Sequence, residues 1–109
     1  MKRIYIAGPI AKGDQFLNVR AAIDAATALL NKGAQPFVPH LSFSWHMVAA
    51  VAYERWMEWD LAWIEACHAL LRLPGESPGA DREVAFARGR GLPVFLKIEE
   101  ALEWAGRQG

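Results

Sequence analysis

The sequence predicts an α/β fold in which a mostly parallel sheet is covered by helices on both faces. Short apolar runs alternate along the chain with segments of helical period, and Gly or Pro marks most of the joins. Strands that alternate with helices are connected by crossovers, which make neighbouring strands parallel. The 109 residues fit a single domain, residues 1–109, without linker or repeat.

The first half of the chain supplies two strands around one long helix. Asp14 is a suitable N-cap for that helix, and Gly33 stops it. The stretch at residues 41–52 is aromatic and apolar without clear turn signals, and we interpret it as a loop that becomes a short helix. The predicted elements are a strand at 4–7, a helix at 14–32 and a strand at 35–38.

The second half repeats this alternation. The predicted elements are a helix at 53–67, a strand at 69–73, a helix at 78–89, a strand at 93–96 and a terminal helix at 98–105. Trp56, Trp59 and Trp63 form a stripe on the first of these helices. Such a stripe is more typical of a core or a subunit interface than of a base-stacking platform, so we expect a homo-oligomer, a dimer or higher.

The composition of the chain limits the classes of function that we expect. Twelve basic and twelve acidic residues cancel, which argues against a nucleic acid polymer as the partner and favours a small molecule. Cys67 is the only cysteine, and His40, His46 and His68 lack metal-ligand spacing, so we expect neither a disulfide nor a metal site. No apolar run approaches the length of a membrane span, and no secretory leader is evident, which favours a cytoplasmic protein without a membrane partner.

The most informative segment is the loop and helix start at residues 73–83. It follows a predicted buried strand, so it lies at the carboxyl edge of the sheet, where open α/β sheets bind ligands. Backbone N–H groups at a helix start favour an anion. Ser77 is either a helix cap or a receiver of a phosphate or sugar hydroxyl. Glu83 either complements the helix dipole or acts as a nucleophile that the helix start keeps ionised.

Three further side chains are candidates for the same edge. Asp60 lies among tryptophans, where it is either a solvent-reaching residue at a helix seam or a general acid with a raised pKa. Tyr5 lies on the first strand, as a core residue or as a hydrogen-bond donor to a carboxylate. His40 follows the second strand, as a core or loop histidine or as a substrate ligand.

Several motifs resemble the nucleoside 2-deoxyribosyltransferase superfamily, which includes deoxynucleoside monophosphate N-glycosidases and small uncharacterised bacterial and phage members. The resemblance spans nearly the whole chain in order and is most specific in its second half. Its elements are Ile4-Tyr-Ile-Ala-Gly-Pro9, Asp60-Leu-Ala-Trp-Ile-Glu-Ala-Cys, Ser77-x-Gly79-x-x-x-Glu83 and Gly91-x-Pro-Val94. It implies a flavodoxin-like, Rossmann-like three-layer sandwich with four to five strands.

The resemblance also implies an activity that needs no cofactor: cleavage or transfer of the N-glycosidic bond of a (deoxy)nucleoside or its 5′-monophosphate. Glu83 matches the family's nucleophile, Asp60 the acid that engages the leaving base, and Tyr5 the residue that orients the nucleophile. The loop positions near the sugar or 5′ group correspond to Gly8 with Pro9, Ser77 and Gly79. An aspartate often found after the helix-ending Cys is His68 here, which affects local packing more than catalysis.

Two other functions are compatible with the same residues. One is a non-catalytic module that binds a nucleotide or nucleotide sugar, and the other is a structural or partner-binding domain. The sequence leaves open the base, the sugar, the presence of a 5′-phosphate, and whether water or a second base accepts the glycosyl group.

Overall fold

A computed structural model describes residues 1–107 and confirms the predicted fold class. The chain has a flavodoxin-like α/β fold built on a four-stranded, all-parallel sheet of order β2-β1-β3-β4. A 3-10 turn at Pro39–Leu41 precedes α2. The elements are β1 (Arg3–Ala7), α1 (Gln15–Asn31), β2 (Gln35–Phe37), α2 (Ser42–Val48), α3 (Tyr53–Glu65), β3 (Ala69–Arg72), α4 (Pro78–Gly89), β4 (Val94–Phe95) and α5 (Ile98–Gly106).

Two apolar layers enclose the sheet. Successive side chains of a strand point to opposite faces, so Ile4 and Ile6 of β1 pack with α1 and α5. Tyr5 and Ala7 face the opposite layer, which α3 and α4 cover. The central strands β1 and β3 are therefore buried on both sides, as parallel strands usually are. None of the helices in residues 1–107 combines the length and apolar character that crossing a bilayer requires.

The predicted helix signals are confirmed at both ends of α1. The Asp14 side chain accepts a hydrogen bond of 3.1 Å from the backbone N–H of Leu17. Gly33 follows the helix with a φ of +101°, a conformation that favours glycine. Residues 41–52 form α2 and its flanking loops, as expected of a loop that becomes a short helix.

The expectation that the α3 tryptophans could form the core is wrong. The buried residues of α3 are Met57, Asp60 and Ile64, which recur at helical spacing. Trp63 is 44% exposed, and Trp59 packs between Trp63 and Trp56 in a partly exposed aromatic row. The row lies beside the buried stripe because α3 turns its smaller residues toward the sheet and α4.

Candidate active site

The loops after β1 and β3 pack against each other at the carboxyl edge of the sheet. A Cβ atom added to Gly8 would lie 3.0 Å from the Cβ of Leu73. A Cβ atom on Gly75 would lie 2.8 Å from the Cγ of Pro9, and the φ of Gly75 is +115°. Both glycines therefore favour the close approach of the two loops, and the positive φ of Gly75 adds a second reason for glycine there.

A cavity of about 560 Å³ opens beside these loops. The carboxylates of Asp60 and Glu83 both belong to its wall, one from α3 and the other from α4. Three of the predicted loop positions also line it: Gly8, Ser77 and Gly79. Aromatic and apolar side chains, Phe43 and Trp56 among them, form much of the remaining surface. The volume is in the range of small-molecule sites.

Tyr5 connects the centre of the sheet to Glu83. The Tyr5 side chain is fully buried on β1, and its hydroxyl donates a hydrogen bond of 2.7 Å to Oε2 of Glu83. Glu83 itself is 5% exposed and Asp60 8% exposed. Buried carboxylates are rare without a partner or a function. The fold therefore brings together two acids and a phenol that are distant in the chain.

Burial changes the protonation of this group. It raises the pKa of Glu83 to about 8, and the nearby charge of Asp60 adds to the rise. The expectation that Glu83 is ionised near neutral pH is therefore wrong for the ligand-free protein, because burial penalises the charged carboxylate. Burial also raises the pKa of Asp60 to about 6, as expected, although hydrogen bonding to Glu83 and Tyr5 partly opposes it.

Near neutral pH the two carboxyl groups consequently share about one proton, and their titration belongs to the pair. Tyr5 remains the hydrogen-bond donor throughout this range. Burial, followed by the charge of Glu83, raises the pKa of its hydroxyl well above the ordinary value.

Glu83→Gln should stabilise the protein at alkaline pH. The folded-state pKa of Glu83 is raised to about 8 from 4.5, so the folded state binds the extra proton, and the wild type loses stability as pH rises between these values. We expect the variant's gain in Tm to be near zero at pH 4 and on the order of 5–10 °C at pH 8.5. Calorimetry across pH measures it, with Glu58→Gln, at a side chain 65% exposed, as control. A gain that does not change with pH would contradict the burial of a charge at Glu83.

Pro9 and His40 are not among the residues that line the cavity. The His40 side chain is 1% exposed, and its Nε2 lies 3.1 Å from the carbonyl oxygen of Pro9. A carbonyl only accepts, so Nε2 carries the proton and donates. Nδ1 has no hydrogen-bond partner within residues 1–107. Burial lowers the pKa of His40. A neutral imidazole therefore supports the loop after β1 through its hydrogen bond to Pro9.

Arg72 does not line the cavity but supports the loop beside it, a role that the sequence analysis missed. Its guanidinium donates hydrogen bonds to the carbonyl oxygen of Leu73, to that of Gly75 at 2.9 Å and to Oδ1 of Asp81 at 3.0 Å. The side chain is 13% exposed. Arg72 therefore fastens the loop after β3 to the first turn of α4, and its charge slightly opposes the rise in the pKa of Glu83. A basic residue at the carboxyl end of an apolar strand is the signal that would have found it.

Comparison with known proteins agrees with this architecture. A solved 2-desoxiribosyltransferase from Leishmania mexicana matches with a TM-score of 0.66 and 21% sequence identity, over 86% of this chain and 62% of that chain. The chain thus spans less than two thirds of that relative, and an identity this low shows a shared fold alone. No curated protein sequence matches. Residues 2–97 match one family model. The chain therefore belongs to the family described as Domain of unknown function (DUF7768).

Proposed function

We propose that this protein cleaves or transfers the N-glycosidic bond of a (deoxy)nucleoside or its 5′-monophosphate through a glycosyl-enzyme intermediate on Glu83. The observation that carries the proposal is the pair of buried carboxyl groups, Asp60 and Glu83, on one cavity, with the Tyr5 hydroxyl 2.7 Å from Glu83. Displacement at an anomeric carbon commonly uses two carboxyl groups whose pKa values are raised to different extents. The fold shared with the Leishmania mexicana 2-desoxiribosyltransferase supports the same substrate class.

In the first step a Glu83 oxygen bonds to the anomeric carbon as the bond from that carbon to the base nitrogen breaks. The electron pair of the broken bond goes to the base, and Asp60 supplies the proton that neutralises it. This step needs the shared proton on Asp60 and not on Glu83. Two interactions favour that distribution: the hydrogen bond from Tyr5, which stabilises the Glu83 anion, and the positive charge that develops on the sugar.

In the second step the acceptor attacks the anomeric carbon, and the ester bond to Glu83 breaks with its electrons returning to the carboxylate. Asp60, now ionised, takes the proton that the acceptor loses. Water as acceptor gives hydrolysis, and a second base gives transfer. The same two carboxyl groups serve both outcomes, so the acceptor is decided by what occupies the cavity after the first base leaves.

The start of α4 is the proposed seat of the 5′ end of the sugar. Ser77 caps the helix by accepting a hydrogen bond of 3.1 Å from the N–H of Ala80, and the first turn carries the positive end of the helix dipole. Gly79 lines the cavity here, and a Cβ on it would lie 3.3 Å from the Tyr53 hydroxyl. A phosphate or hydroxyl at this end would leave the anomeric carbon to face Glu83, about one turn further along α4.

The aromatic row on α3 supports a second proposal, that the protein self-associates. Trp45 packs edge-on against Trp56 and Trp59 at the same surface and is 52% exposed. Trp63 is also partly exposed, and exposed aromatic side chains that lie together are typical of surfaces that bind another protein molecule. A homo-oligomer would remove these side chains from water.

Incubation with a panel of nucleosides and 5′-monophosphates, followed by chromatography for free base, tests the proposed activity. We expect free base from at least one deoxynucleoside or its monophosphate, and a new nucleoside when a second base is added if transfer occurs. Tight binding measured by calorimetry without release of base over hours would instead support a non-catalytic nucleotide-binding module. The absence of both binding and turnover would refute both functions.

A further inference from the structure

His46, an exposed residue of α2, has one ring nitrogen bound to the protein and the other without a hydrogen-bond partner in residues 1–107. Its Nδ1 accepts hydrogen bonds from the indole N–H of Trp56, at 3.0 Å, and from the backbone N–H of Val51, at 3.1 Å. Both partners can only donate, so Nδ1 carries no proton and the neutral ring carries its proton on Nε2. Within residues 1–107 Nε2 makes no hydrogen bond, and His46 lines the same cavity as Asp60 and Glu83.

The hydrogen bond to Trp56 places His46 beside α3, the helix that carries Asp60. Its partner Trp56 precedes Asp60 by four residues on α3, about 6 Å along the helix axis, and both line the cavity. The proposed chemistry puts the leaving base at Asp60 and the 5′ end of the sugar at the start of α4. His46 therefore lines the cavity beside the α3 face that carries both Trp56 and Asp60.

We propose that His46 is a specificity-determining residue whose Nε2–H donates to a hydrogen-bond acceptor on the nucleobase, either a carbonyl oxygen or an unprotonated ring nitrogen. This inference rests on the proposed function. The two bonds to Nδ1 orient the ring and fix its tautomer, so the donor is available before substrate binds. A site that presents a fixed donor discriminates against a base that lacks the matching acceptor.

Two substitutions separate the two ring nitrogens. In His46→Asn the side-chain oxygen replaces Nδ1 and can still accept from Trp56, but the donor at Nε2 is lost. In His46→Gln the side-chain amide reaches the position of Nε2, and the acceptor for Trp56 is lost. His68→Asn is the matched control, because Nδ1 of His68 also accepts from a backbone N–H, that of Arg3 at 2.9 Å, and His68 does not line the cavity.

We expect His46→Asn to lower kcat/KM about 10-fold on the preferred nucleoside, with the tryptophan fluorescence and Tm of the wild type. A panel of base analogues that each lack one hydrogen-bond acceptor gives a readout that a purely structural role of His46 would not change. One analogue should lower the kcat/KM of the wild type about 10-fold and leave the kcat/KM of His46→Asn unchanged. In His68→Asn the same analogue should lower kcat/KM as much as it does in the wild type.

The inference is overturned if His46→Asn keeps wild-type kcat/KM. It is also overturned if every analogue lowers kcat/KM as much in the variant as in the wild type. A defect confined to His46→Gln, accompanied by altered tryptophan fluorescence, would likewise assign His46 a structural role only. Failure of the proposed function is a distinct result, since the wild type itself would then release no free base from any nucleoside.

Discussion

Replacing Glu83 with glutamine should lower the release of free base at least about 10³-fold, because the neutral amide cannot form the glycosyl ester. Nucleoside affinity should stay within a few-fold of the wild type, since Gln preserves the shape of the side chain and still accepts the hydrogen bond from Tyr5. Single-turnover chromatography measures the first quantity, and calorimetry measures the second. Both should be taken near pH 7, between the two pKa values of the carboxyl pair.

Mass spectrometry of the intact protein tests directly for the glycosyl-enzyme intermediate on Glu83. A mixture of wild type and substrate quenched in acid should contain a species heavier by one glycosyl group, and peptide mapping should place the addition on the α4 peptide that contains Glu83. Glu58→Gln, an exposed substitution on α3, should form the adduct at the wild-type rate. Undiminished turnover in Glu83→Gln would remove Glu83 from the chemistry and end the proposed mechanism.

Asp60→Asn should slow departure of the base by roughly 10²–10³-fold. The loss should be largest for poor leaving groups, which need the proton most, and smallest for bases activated by electron-withdrawing substituents. A plot of log(kcat/KM) against the pKa of the departing base measures this, and the variant should show a steeper slope than the wild type. Equal losses for all leaving groups would show that Asp60 positions the substrate without protonating the base.

The pH profile gives an independent check on Asp60. In the wild type the singly protonated pair is the active form, so kcat/KM should fall below about pH 6 and above about pH 8, following the pKa values of about 6 and about 8. Removing one carboxyl group leaves one titration. Asp60→Asn should therefore lose the alkaline limb, which reports loss of the acid, and retain an acid limb from ionisation of Glu83. A profile that keeps both limbs would assign the acid to another group.

Local signals made much of this site predictable. The cap at Ser77, the Pro and Gly that follow it, and the spacing to Glu83 identify a helix start at the edge of a sheet, and the structure has α4 at Pro78–Gly89. The alternation of strands and helices predicts a mostly parallel sheet, in which the loops that follow the strands lie at one edge. Asp60 stood out because a carboxylate on an aromatic helix face needs an explanation.

Other features depend on contacts between segments that are distant in the chain. The pKa of Glu83 follows from burial and from Asp60, neither of which shows in the local sequence of α4. The role of Arg72 depends on where two loop carbonyls lie. The tautomer of His46 is fixed by Trp56, ten residues later in the chain. Side-chain hydrogen bonds and desolvation are set by the assembled fold, so sequence periodicity could not give them.

The short helix α2 has no buried residue, and Val48 at its end is 90% exposed. Its connection to α3 consists largely of the His46–Trp56 hydrogen bond and the edge-on packing of Trp45. Local opening free energies follow buried apolar contact, and α2 has little of it. Opening of α2 alone would therefore leave the sheet and its two apolar layers intact, and we expect its backbone amides to exchange faster than those of the central strands.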